Sequence, residues 1–153
     1  MIIESFASSS KGNCYSVTDG KTTLLLECGI PLNKIREKTR LDFDACLVTH
    51  EHMDHAKSLV KLLKNCKDVY ATKGTFENFD CGTFKNYAKV VKANNEYIIG
   101  TFDVIPFATE HDAAEPVGYY IKSRVSGRTL LFATDTYYIK NRFDRIDYLL
   151  SLI

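Results

Sequence analysis

The chain has 153 residues, 45% hydrophobic and 25% charged, with 20 basic and 19 acidic side chains giving a formal charge of +1. This composition belongs to a folded globular chain long enough to bury a core, and it excludes a disordered one. So small a net charge also excludes a protein that coats nucleic acid or an anionic membrane through its overall field, though not one with a local basic groove.

The N-terminus, MIIESFASSSKGN, lacks the basic segment and apolar core of a signal sequence. No apolar run approaches the roughly 20 residues of a membrane helix. The five cysteines show no Cys-x-x-Cys spacing and make an odd total, so they give neither a disulfide framework nor a zinc knuckle. A reduced, cytoplasmic protein with no membrane partner is expected.

Residues 2–6 read as a strand, followed by a polar loop at 8–13. Strands at 14–18 and 22–27 are joined by Asp19-Gly20, whose tolerance of positive φ suits a tight hairpin turn. Pro31 opens a short helix through about residue 38. Residues 45–49 form an apolar strand that runs into the histidine cluster of THEHMDH, residues 49–55. Beyond it Ala56, Leu59, Val60, Leu62 and Leu63 recur at helical spacing, with Lys57, Lys61 and Lys64 opposite. The cluster is therefore predicted on a loop between a buried strand and a helix that begins after it, where ligands gather in α/β proteins. Further strands are predicted at 69–72, 88–92, 97–99, 102–107, 117–123 and 129–133, with Asn94-Asn95 and Ser126-Gly127 marking two hairpins. With no repeat, low-complexity segment or interior linker, one domain over 1–153 is expected, ending in an apolar strand at 146–153.

Three of the chain's four histidines, His50, His52 and His55, fall within six positions. A solvated or capping loop gives no reason for that density. The His-Glu-x-x-His helix of zinc proteases fails on spacing, because Asp54 stands four residues after His50. The remaining reading is a metal site of the form His-x-His-x-Asp-His, whose imidazole and carboxylate donors suit zinc, manganese or iron. The loop offers more ligand-competent groups than one tetrahedral ion can use, so two adjacent ions are expected. One loop cannot complete such a site, and the missing ligands should come from distant strand ends. His111, the last histidine, and Asp135 in LLFATDT are the candidates. Each alone would read as a solvated loop residue or a turn cap; beside the cluster, both read as ligands.

Together T-H-E-H-M-D-H, the later His111 and the later Asp135 resemble the metallo-β-lactamase fold superfamily. Within it, SSSKGNCYSV, HDAAEPVGYYI and LLFATDT are most similar to a branch of bacterial and phage DNA exonucleases. The resemblance implies an α/β chain folded as an αββα sandwich. It implies that His50, His52 and His111 hold one divalent ion, that Asp54 and His55 hold a second, and that Asp135 bridges them. Zinc and manganese are the expected metals. Glu27, in LLLECG, falls where the family usually has an aspartate orienting the site; its extra methylene puts that hydrogen bond in question. Family members normally continue beyond this point and supply another histidine to the second ion. A C-terminally short domain is therefore expected, with a weaker second site and a terminal strand that self-associates through its uncovered edge.

The function so implied is hydrolysis by a water activated between two metals and oriented by Asp54, a catalytic role. The substrate class is DNA or nucleotides, which makes the chain a phosphodiesterase or nuclease. Lys11, Lys57, Lys61 and Lys64 are candidates to meet phosphates, although the helix lysines read equally as a solvated face. Two alternatives are a hydrolase of a small thioester or lactam, and a degenerate fold module that acts only in binding or assembly.

Overall fold

Thr23–Leu26 puts three leucines in a row, Leu24 to Leu26, and all three are fully buried in the computed structural model, which describes residues 1–136 and 139–152. Such a run is stable only where both faces of a strand are covered. Here Leu24 and Leu26 face a second sheet while Leu25 faces helices. At about 2–3 kcal/mol for each fully buried leucine, the run commits this strand to the middle of the molecule.

Around it lies a sheet of six strands in chain order: β1 Ile2–Ser9, β2 Gly12–Thr18, β3 Thr23–Leu26, β4 Ala45–Leu47, β5 Val69–Thr72 and β6 Ala88–Val91. β1, β2 and β3 pair antiparallel, and β3 to β6 pair parallel. Parallel neighbours require crossovers. These are made by α1 Leu32–Thr39, by α2 Met53–Ala56 with α3 Leu59–Lys64, and by α4 Lys73–Phe76 with a 3-10 turn at Gly82–Tyr87. The second sheet holds β7 Tyr97–Ile99, β8 Phe102–Ala108, β9 Val117–Ser123, β10 Thr129–Thr134 and β11 Tyr148–Leu152. Its order is β11-β10-β9-β8-β7, antiparallel except for the parallel pair β10–β11.

Between the sheets Tyr15, Leu24 and Leu47 meet Phe102, Tyr119 and Phe132. The Tyr15 and Phe132 rings pack edge to face at 5.8 Å. On the other face of the first sheet, Leu25 and Cys46 pack against Ile35, Leu59, Leu62 and Leu63. The outer face of the second sheet, at Phe107 and Leu131, is covered by Ile139 and Phe143. The two packed sheets, with helices outside the first, are those of the expected sandwich; among the described residues no helix covers the second sheet, so the outer layer expected there is not seen. All five cysteines are free thiols. No helix among the described residues is long and apolar enough to cross a membrane.

Two sequence expectations need correction. Asn94-Asn95 does not close a hairpin: β6 lies in the first sheet and β7 in the second, so the turn carries the chain across the sandwich. Asn94 takes φ +69° and its N–H bonds Pro106 O at 2.7 Å. Turn residues specify a reversal, but not which strand lies beyond it. The helix after the cluster is also in two pieces, and the first carries Asp54 and His55. Ser58 N–H bonds Cys28 O at 3.0 Å rather than the carbonyl one helical turn back. That carbonyl, on Asp54, accepts Asn13 Nδ2 at 3.1 Å instead. Of the terminal run at 146–153, residue 153 lies outside the described residues.

Candidate metal centre

The site forms where the chain leaves β3, β4, β8 and β10. Just past β3 and β10 stand Glu27 and Asp135, with φ of +67° and +51°. Non-glycine residues seldom adopt this conformation, and it persists where the surroundings over-determine it. Past β4 come Thr49 and the histidine segment, with His50 and His55 buried. The loop after β8 brings His111.

Two trios result. The ligand nitrogens of His50, His52 and His111 lie within 4.8 Å of one another, with His52 Nδ1 only 3.2 Å from His111 Nε2. Asp54, His55 and Asp135 form the other trio. There His55 Nε2 lies 2.6 Å from Asp135 Oδ2 and 3.2 Å from Asp54 Oδ2. Asp135 Oδ2 is also 3.7 Å from His50 Nε2, which places this carboxylate between the trios. All six residues expected as ligands from the sequence are thus brought to one place.

Glu27 sits behind them, fully buried. Its Oε1 accepts Thr49 N–H at 2.8 Å, and its Oε2 accepts Thr49 Oγ1–H at 2.7 Å and also His55 Nδ1–H. The longer side chain therefore does reach the histidine segment. Glu27 also lies within ligand distance of His50 and His55, but its oxygens are already engaged, so it reads as an orienting group. Because the Thr49 hydroxyl gives its proton to Glu27, at the 2.8 Å contact with His50 it must accept from Nδ1–H. One carboxylate thus engages Nδ1 of both rings, directly or through Thr49, and turns each Nε2 into the site.

Both Nε2 atoms are buried without a hydrogen-bond partner among the described residues. The approach of His55 Nε2 to Asp135 is close enough for an ion pair but lacks hydrogen-bond direction. Buried polar atoms are nearly always satisfied. Two orphaned imidazole nitrogens amid converging carboxylates are the donor set of divalent-ion sites, and the residues present fit such ions. The field across the site is uneven. Burial, and then the neighbouring imidazoles, push the His50 pKa down to about 2. Burial also opposes charge on His55, but the Glu27 hydrogen bond and the charges of Glu27, Asp54 and Asp135 raise its pKa to about 9.

Sequence reading missed three supports. Thr49 was visible only as a hydroxyl next to a candidate ligand. Asn13, in the quoted SSSKGNCYSV, holds the Asp54 carbonyl. Gly29 lies so close to that carbonyl that a Cβ would collide with it, a close approach nothing local announces. Lys57, Lys61 and Lys64 are exposed on the outer helices, and Lys11 is exposed in the β1–β2 turn beside Asn13.

Residues 24–151 match the family model of the β-lactamase superfamily domain. The chain is similar to the exodeoxyribonuclease YycJ of Bacillus anthracis, with 32% identity over 146 residues, and to the exodeoxyribonuclease WalJ of Streptococcus pneumoniae, with 27% over 148. Each match covers 89% of this chain but 54% of the relative, so the chain spans about half the length of these curated relatives. Among solved structures, a Cronobacter sakazakii metallo-β-lactamase HARLDQ-motif mutant superposes with TM-score 0.72 at 14% identity, over 94% of this chain and 72% of that one. The metallo-β-lactamase fold protein YhfI of Bacillus subtilis gives 0.68 at 19%, over 88% and 61%. At these identities the two structures speak for the fold alone.

Proposed function

The chain belongs to the β-lactamase superfamily, in the exonuclease-like branch of the metallo-β-lactamase fold, and from that premise we propose that it is a metal-dependent phosphodiesterase acting on DNA. The observation that carries the proposal is the pair of trios joined by Asp135, with two buried imidazole Nε2 atoms that have no hydrogen-bond partner among the described residues. His50, His52 and His111 would hold a first divalent ion. Asp54, His55 and Asp135 would hold a second, less tightly, because Asp135 also faces the first position and only Asp54 and His55 are left to the second alone. Zinc or manganese bound there would supply an acidified water and positive charge facing a phosphoryl oxygen. The chain's own part is placement. Glu27 and Thr49 turn the Nε2 atoms of His55 and His50 into the site, Asp54 and Asp135 would orient the water, and Lys11, exposed in the β1–β2 turn, would be available to a phosphate.

The relatives named as exodeoxyribonucleases support DNA as the substrate class over a small thioester or lactam. Purified chain loaded with zinc or manganese should release nucleotides from end-labelled DNA, with binding that weakens steeply as salt rises. His50→Ala combined with His52→Ala should abolish both tight metal binding and cleavage. Full metal content in the double variant after dialysis would remove the proposed centre. Intact metal with no cleavage of DNA or nucleotides would instead favour a binding module on the same fold.

A further inference from the structure

Glu51 stands between His50 and His52 yet belongs to neither trio. Its Oε2 accepts a 2.9 Å hydrogen bond from the backbone N–H of Ala114, in the loop between β8 and β9 that delivers His111. Its Oε1 is buried and has no hydrogen-bond partner among the described residues. A buried, unsatisfied carboxylate oxygen is costly, so a glutamate at this position calls for an explanation.

The loop itself supplies one. Its neck is closed by Thr109 N–H bonding Pro116 O at 3.2 Å. Its far side is anchored at Glu115, whose Oε1 accepts Gly74 N–H and whose carbonyl accepts Thr72 Oγ1–H, both at 2.8 Å. Neither anchor touches the segment that carries His50 and His52; at the loop's end Val117 N–H does bond Thr49 O at 3.0 Å, but six residues from His111. Nearer the histidine, Ala113 N–H bonds His111 O at 2.9 Å within the loop, and Glu110 N–H bonds Thr136 Oγ1 at 3.0 Å. The Glu51–Ala114 bond ties the histidine segment directly to the histidine loop, three residues from His111.

We propose that Glu51 is a positioning residue that clasps the His111 loop against the His50–His52 segment and so places the third imidazole of the first metal position. The proposal rests on the metal-centre reading above. His52 Nδ1 and His111 Nε2 meet at 3.2 Å, but one ring-to-ring contact leaves the backbone that carries His111 still to be held. A charged acceptor whose own backbone lies between two of the three ligands does this with one bond.

In the metal-free protein, Glu51→Ala should speed hydrogen exchange at Ala114 N–H. On titration against a chromophoric chelator, the tighter zinc step should weaken about tenfold or more, with the weaker step unchanged. The visible spectrum of the cobalt form should change as the first ion loses a well-placed ligand. Glu51→Gln keeps an oxygen for Ala114 N–H and should restore exchange, affinity and spectrum, which a general loss of stability would not do. Ala114→Pro, at an exposed position, deletes the donor from the loop side. It should reproduce the loss and, combined with Glu51→Ala, add nothing. A His111→Ala variant separates the failures. If it weakens the tight step while Glu51→Ala and Ala114→Pro do not, the clasp is wrong and the metal centre stands. If none of the three changes affinity, the metal-centre reading falls and the clasp with it.

Discussion

Glu27 accepts hydrogen bonds from Thr49 N–H, Thr49 Oγ1–H and His55 Nδ1–H, so one side chain governs an imidazole in each trio. Glutamine would retain the volume but turn an amino group toward one of these donors. Glu27→Gln should therefore weaken both metal steps, by about ten- to a hundredfold. Thr49→Val removes only the hydroxyl relay to His50 and should weaken the first step alone. Parallel zinc titrations of the two variants check this, and equal losses at both steps for Thr49→Val would break the assignment of the relay. The residue scale also shows where sequence reading stopped. His50, His52, Asp54 and His55 were legible because ligand chemistry admits few residue types and these stand side by side. Thr49 was not, because its role depends on Glu27, 22 residues earlier. That partner is met only through the parallel pairing of β3 with β4.

At the level of elements, Asp19 ties the β2–β3 turn to the second sheet. Its Oδ1 accepts the N–H groups of Lys21 and Thr22 at 3.0 and 2.9 Å; its Oδ2 accepts the hydroxyls of Thr101 and Ser123, both at 2.6 Å. Burial alone would raise its pKa, but these bonds prevail, the Ser123 and Thr101 hydroxyls foremost, and hold it at about 2. A folded pKa below the unfolded value near 4 means the stabilisation is complete above about pH 4 and is lost as pH falls toward 2. Asp19→Asn should cost about 2 kcal/mol at pH 6, measured by denaturant unfolding, and the gap from wild type should narrow toward pH 2.5. A gap that stays constant with pH would show that shape, not charge, matters at Asp19. The strands themselves were largely legible, since runs such as Thr23–Leu26 and Val117–Ser123 read directly as buried strands. What escaped was set by distant partners: the crossing at Asn94, the break at Ser58, and the single turn of α4.

For the whole molecule, β10 is paired on both sides, whereas β11 has no further partner strand among the described residues. Along β11 the side chains divide. Tyr148 and Leu150 pack against the core between the sheets, while Leu149 is 65% exposed, beside Ile146 at 44%. A free edge flanked by exposed apolar side chains is a template for another strand. Taken by itself, the 153-residue chain is therefore expected to self-associate along β11 as its concentration rises. Leu149→Lys should shift it toward monomer in sedimentation velocity with little change in unfolding free energy, because that side chain already faces water. Leu150→Lys should instead destabilise the fold by about 2–4 kcal/mol, since it forces a charge between the sheets. A wild-type chain that stays monomeric at its highest soluble concentration would show that the β11 edge is protected without a second copy. Loss of association in Leu150→Lys but not in Leu149→Lys would move the contact away from this face of the strand.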